Sequence, residues 1–144
     1  MSPARRVDIT RKVRFSAAHR YHRDEWSDEK NRAVFGPCNN PFGHGHNYEL
    51  AVTLTGPLDP RTGMVINLRE VDSILHQEIV ARFDHRHINH EVEGFEDLVP
   101  TTENIVLHIW DRLEPVFTDR GVTLRRVRVY EDPSLWAEHR GPDG

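Results

Sequence analysis

The sequence has almost no cysteine, almost no lysine and no long apolar run. Cys38 is the single cysteine among 144 residues, so no internal disulfide can form, which fits a reducing compartment. Lysine occurs only at Lys12 and Lys30 among 19 basic residues, a bias that fits a GC-rich genome and carries no functional information. A basic excess is also missing. Acidic residues number 23, for a formal net charge of −4, and that balance counts against a nucleic-acid partner. No apolar stretch approaches the length of a membrane span, and the opening MSPARRVDITRKV lacks the apolar core of a secretory signal. A cytoplasmic location is therefore expected, with no membrane partner. There is no internal repeat and no low-complexity segment. What remains, 37% hydrophobic and 29% charged, describes one globular domain spanning 1–144. A chain of this length buries roughly 68–70% of its unfolded surface.

Val7, Ile9, Val13, Phe15 and Ala17 share one parity, while Asp8, Thr10, Lys12, Arg14 and Ser16 share the other. This alternation predicts a strand with one covered and one wet face. His19 continues the apolar parity. Ser27 and Gly36 bracket a short helix in DEWSDEKNRAVFG. A second strand runs from about His44 to Thr55, apolar on Tyr48, Leu50, Val52 and Leu54. GPLDPRTG reads as a turn and MVINL as a short third strand. Asn67 opens a helix, with Glu70 placed to complete a capping box. Leu68, Val71, Leu75 and Ile79 form its apolar stripe, and it ends near Arg82. DHRHINHEVEGFEDLVP reads as irregular. Pro100 with Thr101 or Thr102 opens a second helix whose inner face carries Ile105, Ile109 and Leu113. VTLRRVRVYED and LWAEHR end the order as strands. The pattern predicts an α+β fold, an antiparallel sheet with helices on one face. Its other face meets water or a lumen made by assembly.

The chemistry is concentrated in GPCNNPFGHGHNY. His44 and His46 lie two apart on a predicted strand, so both imidazoles point the same way. Two histidines at that spacing can chelate one metal ion, and a third imidazole leaves the open fourth position of a catalytic zinc site. His19 supplies the third if the first two strands pair as a hairpin. Two plainer readings stand beside this one: hydrogen-bonded core histidines, and a closed structural zinc with Cys38 as fourth ligand. Cys38 sits in a Gly/Pro/Asn loop, as suits a base or nucleophile whose pKa a neighbouring cation or imidazolium lowers; an inert buried thiol is the alternative. Asp84 and His85 form either a proton relay or a solvated helix end, and His85 with His87 makes a weak second metal pair, since no strand is predicted there. Glu131 shares the parity of Val127 and Val129. If the strand continues that far, its carboxylate points to the covered side, able to accept two parallel hydrogen bonds from a planar donor edge.

Taken together, FSAAHR, FGPCNNPFGHGHNY, DPRTGMVINL, FDHRHIN, PTTENIVLHIWDRL and VRVYE resemble the 6-pyruvoyltetrahydropterin synthase family, which includes the 6-carboxytetrahydropterin synthases of queuosine biosynthesis. The resemblance runs from about Val13 to Gly141. It implies the tunnelling fold: a four-stranded antiparallel sheet with two helices on one face, a barrel closed by three subunits, and two trimers stacked as a homohexamer. It also implies Zn²⁺ on His19, His44 and His46, with Cys38 as catalytic cysteine. Asp84 and His85 are the remaining catalytic pair, supplied by a neighbouring subunit. Glu131 anchors the pterin, with Thr101, Thr102 and Glu103 beside that pocket. The implied substrate is a small-molecule pterin, 7,8-dihydroneopterin triphosphate. Five residues separate Cys38 from His44, as in the pyruvoyl type; the carboxyl type usually has three. The resemblance thus implies a zinc-dependent carbon–oxygen lyase eliminating triphosphate, as in tetrahydrobiopterin biosynthesis. The alternatives are the carboxyl enzyme acting on the same substrate, or a structural-zinc module that only binds pterin. His87 stands where some relatives carry a non-ionisable residue.

Overall fold

A computed structural model describes residues 5–141; the first four and last three residues of the expected 1–144 domain lie outside the described residues. Strand β1 (Arg6–His19) pairs antiparallel with β2 (His44–Pro57) in unbroken register from Arg6↔Pro57 to His19↔His44. β1 carries no glycine or proline along its fourteen residues, and β2 runs from His44 to the Gly56-Pro57 pair that ends it. β2 pairs antiparallel with β4 (Thr123–Asp132), with an irregularity between Thr53 and Leu54, and β4 forms a hairpin with β5 (Leu135–Arg140). The expected all-antiparallel four-stranded sheet is corrected here. A two-residue β3 (Arg86–His87) lies parallel to β1, giving a five-stranded mixed sheet in the order β3-β1-β2-β4-β5.

Helix α1 (Asp28–Phe35) is capped by the Ser27 side chain and stopped at Gly36. The latter has φ 57°, a left-handed backbone that favours glycine. A 3₁₀ turn, Gly36–Asn39, follows. α2 (Leu68–Leu75) continues through a π-helical turn at His76–Val80 into α3 (Ala81–Phe83). α4 (Ile88–Glu91) is one turn, inside the stretch read from sequence as irregular, and α5 (Thr102–Asp119) is capped by Thr101. Phe15, Tyr48, Leu50, Val52, Leu54, Val127 and Val129 form the covered sheet face. They pack into one core with Leu75, Ile79, Phe83, Ile105, Ile109, Leu113 and Phe117 from the helices. No helix among the described residues is long and apolar enough to cross a membrane.

Three local expectations change. MVINL is not a strand. Asp59 and Gly63 close a tight turn instead, Asp59 N–H to the Met64 carbonyl at 2.9 Å and Gly63 N–H to the Asp59 carbonyl at 2.7 Å, which removes groups a ladder would need. Leu68 is 37% exposed, and Ile74 takes its place in the buried stripe with Val71, Leu75 and Ile79. The Asn67 side chain caps α2 through Arg69 N–H at 3.0 Å, but Glu70 pairs with Arg120 at 3.0 Å instead of completing a capping box. Arg11 falls on the apolar parity of β1 and is tolerated there because Asp72 of α2 receives it bidentately, at 2.7 and 3.0 Å. On the open face Ala51, Thr53 and Thr55 are buried, and Arg126 and Thr10 reach the Thr53 hydroxyl.

Candidate active site

Strand register brings two of the imidazoles together. His19 is the last residue of β1 and faces His44, the first of β2; His46 follows on the same side. Their ring centroids lie 4.7, 5.0 and 5.0 Å apart, all edge-to-face. One ring nitrogen from each falls within 4.8 Å of the other two. Zinc at about 2.0–2.1 Å in a tetrahedral site sets ligand nitrogens about 3.3–3.4 Å apart, and His19 Nε2 lies 3.2 Å from His44 Nε2. His46 Nε2 is buried without a hydrogen bond. Glu131 approaches it to 2.9 Å without making one. A buried ring nitrogen left without a hydrogen bond, beside two other imidazoles and a carboxylate, fits a cation. The Pro100 carbonyl, which can only accept, lies 3.1 Å from His19 Nδ1; it assigns the ring proton to Nδ1 and leaves Nε2 free to ligate. Burial, then His44 and His46, hold His19 down to about 3, and burial followed by His46 lowers His44. Both rings are therefore neutral near pH 7, the ligating form.

Cys38 is outside this cluster, so the arrangement with a thiolate as fourth ligand is not the one built. It is half-buried in the 3₁₀ turn. Its carbonyl accepts the Tyr21 N–H at 2.9 Å, which ties the loop to the chain two residues beyond His19. Burial, and then the Glu131 carboxylate, push the thiol up. Without a bound cation, the lowering expected from a neighbouring cation or imidazolium is not what the thiol meets, because burial disfavours the thiolate and the charge nearest it, Glu131, is negative. In metal-free protein, iodoacetamide should therefore alkylate Cys38 along a pH curve displaced above that of an ordinary thiol, since only the thiolate reacts, and loading the triad with a divalent cation should move the curve down. A metal-free curve at or below that of a small thiol would contradict this environment.

Glu131 is buried, at 8% exposure, and lies 3.5 Å from His19 Nε2, on the covered side that strand parity predicts. Two tyrosines escaped the sequence reading. Tyr48 Oη stands 2.9 Å from His19 Nδ1, and the Tyr21 ring packs 4.8 Å from that of His19. Burial and then Glu131 push both phenols well above their ordinary value. Tyr48 carried a usable signal, the parity it shares with His44 and His46.

Asp84 and His85 form the expected pair, with Asp84 Oδ2 2.8 Å from His85 Nδ1. Asp84 Oδ1 accepts the Ser16 N–H at 2.8 Å; that bond first, and His85 second, hold the carboxyl below its usual range. The pair does not join the triad within one chain. The His85 side chain is 84% exposed. Both His85 and His46 line an open cleft of about 410 Å³, yet among the described residues neither Asp84 nor His85 bonds to the triad, Cys38 or Glu131. His85 and His87 belong to no metal-binding cluster among the described residues. In the 101–103 run, Thr101 Oγ1 accepts the Asn104 N–H at 3.1 Å, Thr102 is buried and Glu103 exposed. Pro100, one residue earlier, makes the contact with His19.

A sheet end carrying three convergent imidazoles, a thiol outside their cluster and a buried carboxylate can hold a cation and can support acid–base chemistry. The model of the 6-pyruvoyl tetrahydropterin synthase family matches residues 8–142, and the chain belongs to that family. It is 42% identical over 135 residues to the 6-pyruvoyl tetrahydrobiopterin synthase of Homo sapiens, covering 94% of this chain and 92% of the relative. Identity to the protein of that name from Poecilia reticulata is 47% over 140 residues, covering 96% and 94%. The solved structure of Caenorhabditis elegans 6-pyruvoyl tetrahydropterin synthase superposes with a TM-score of 0.90 at 35% identity, covering 98% of this chain and 99% of that one.

Proposed function

We propose that the protein is a zinc-dependent lyase that converts 7,8-dihydroneopterin triphosphate to 6-pyruvoyltetrahydropterin with elimination of triphosphate, working in the cytoplasm as a homohexamer. The observation that carries the reading is that His19, His44 and His46 each bring a ring nitrogen within 4.8 Å of the other two while the only thiol of the chain stays outside the cluster. When bound by these three histidines, zinc supplies Lewis acidity toward the hydroxyls of the substrate side chain. Glu131 accepts two parallel N–H bonds from the planar edge of the pterin, with Thr101, Thr102 and Glu103 bordering that pocket. Cys38 moves a proton at the side-chain carbon nearest the ring, and Asp84–His85 of a neighbouring copy is the second acid–base group. No redox cofactor is required. Oxidation of the C1′ carbinol to a ketone balances the two-electron reduction of the ring, and elimination of triphosphate across C2′–C3′ leaves an enol that ketonises to a C2′ carbonyl and a C3′ methyl.

Two features support assembly into a trimeric barrel. The polar sheet face carries Lys12, Arg14, Arg126 and Arg128 where a lumen would lie. The outer strands have unpaired edges, and on β5 Leu135 and Trp136 are each 47% exposed, a combination that invites strand or side-chain pairing. The test is incubation of the purified, zinc-loaded protein with 7,8-dihydroneopterin triphosphate, with the pterin identified by mass spectrometry and triphosphate quantified. The expected products are 6-pyruvoyltetrahydropterin and stoichiometric triphosphate. A 6-carboxy pterin with loss of acetaldehyde would assign the chain to the carboxyl type instead; binding without triphosphate release would leave only a pterin-binding module.

A further inference from the structure

The four residues that follow His19 lie outside any sheet, yet backbone groups of three of them, Arg20, Tyr21 and Arg23, bond to asparagine side chains from three separate elements. Asn89 of α4 donates to the Arg20 carbonyl at 2.8 Å and accepts the Arg20 N–H at 2.8 Å. Asn31 of α1 does the same for Arg23, accepting its N–H at 2.8 Å and donating to its carbonyl at 2.9 Å. Between these two, Tyr21 donates its N–H to the Cys38 carbonyl at 2.9 Å and accepts at its own carbonyl from Asn39 Nδ2 at 2.7 Å. The loop and the strap are thus joined by a two-way exchange, as in a short ladder, with a side-chain amide standing in for one backbone rung.

Asn39 does more than close that exchange. It is buried, at 6% exposure, so a side-chain amide there needs partners within the protein. Because the Tyr21 carbonyl only accepts, the nitrogen end of the amide is fixed on that side. The same Nδ2 lies 3.0 Å from His22 Nδ1, and the backbone carbonyl of Asn39, which any substitution keeps, accepts from Arg20 Nε at 3.1 Å. One residue after the thiol, Asn39 therefore contacts three consecutive residues of the strap that begins at the metal-ligand candidate His19. A loop rich in Gly, Pro and Asn has no apolar side chain to anchor it, and these bonds set where Cys38 stands relative to the histidines.

We propose that Asn39 is a positioning residue that fixes the Cys38 thiol against the histidine cluster, an inference that rests on the acid–base role proposed for Cys38. Its action is on geometry: displacement of a reacting group by about 1 Å can cost on the order of 10²-fold in rate. The test uses the zinc-loaded full chain. Asn39→Ala should lower kcat by about 10- to 100-fold with little change in KM or zinc content, and should speed iodoacetamide alkylation of Cys38 as the loop loosens. Asn39→Asp keeps the outline of the side chain, removes both Nδ2 donors, and should show the same kcat loss if the alanine variant does not fold. Asn31→Ala removes an equivalent clamp at the far end of the strap; it should lower the melting temperature yet keep kcat within about twofold. Unchanged kcat in the Asn39 variants, or equal loss in Asn31→Ala, would overturn the inference. Cys38→Ala, assayed in parallel, separates the two levels: turnover that survives it refutes the role of the thiol itself.

Discussion

Cys38→Ala should lose turnover by about 10²–10⁴-fold, the range of a missing general acid–base group, while zinc content and melting temperature stay close to wild type. The argument is local. The sulfur is outside the cluster formed by His19, His44 and His46, so its removal takes no ligand from the metal. The bond that holds the loop to the strap uses the Cys38 carbonyl, which alanine retains, and the Asn39 contacts do not involve the thiol. The half-buried side chain leaves a small gap in a loop, at a cost of about 1 kcal/mol or less. The measurements are elemental analysis, thermal melting and the rate of triphosphate release on one preparation. Zinc lost along with the sulfur would show that the thiolate is a ligand, and the acid–base assignment would then fail.

Mixing two inactive variants should restore activity. His85→Ala and Cys38→Ala, each nearly inactive alone, should recover when co-assembled to about a quarter of the wild-type rate, the fraction of sites that take an intact Cys38 from one copy and an intact His85 from another in a symmetric oligomer. The reason is the separation of the two groups within the chain. The thiol loop is tied to the end of β1, whereas Asp84 and His85 are held by Ser16 at the junction of β1 and β3, with the imidazole 84% exposed and bonded to no member of the histidine site. A group so exposed can serve a neighbouring molecule. Co-expression of differently tagged chains, tandem purification and assay of the mixed species provide the measurement. No recovery in verified mixed assemblies would place the complete site within one chain, and the second acid–base group would have to be sought elsewhere.

The sequence by itself determined which side chains face the same way. Alternation along β1 and β2 set His19, His44 and His46 on the covered parity, and the same rule turned Glu131 inward beyond Val127 and Val129. Helix starts at Ser27, at Asn67 and at Thr101 or Thr102 were legible for a related reason, because a cap is a bond between a side chain and a backbone group two or three residues away; the structure places the last at Thr101. These are properties of a few consecutive residues and of backbone geometry. What depended on distant segments meeting was decided by the tertiary structure. Short β3 forms because the chain after Phe83 returns alongside Ala17 and Ala18; MVINL looked like a strand, but Met64 closes a turn with Asp59 and Leu68 already opens α2. The Cys38 thiol is pushed up first by burial in the folded loop and then by Glu131, far along the sequence. Pro100, Tyr48 and Asn39 acquire their roles only where α5, β2 and the strap converge on His19 and Cys38. Desolvation and long-range hydrogen bonds belong to the assembled core, and no local pattern of residues encodes them.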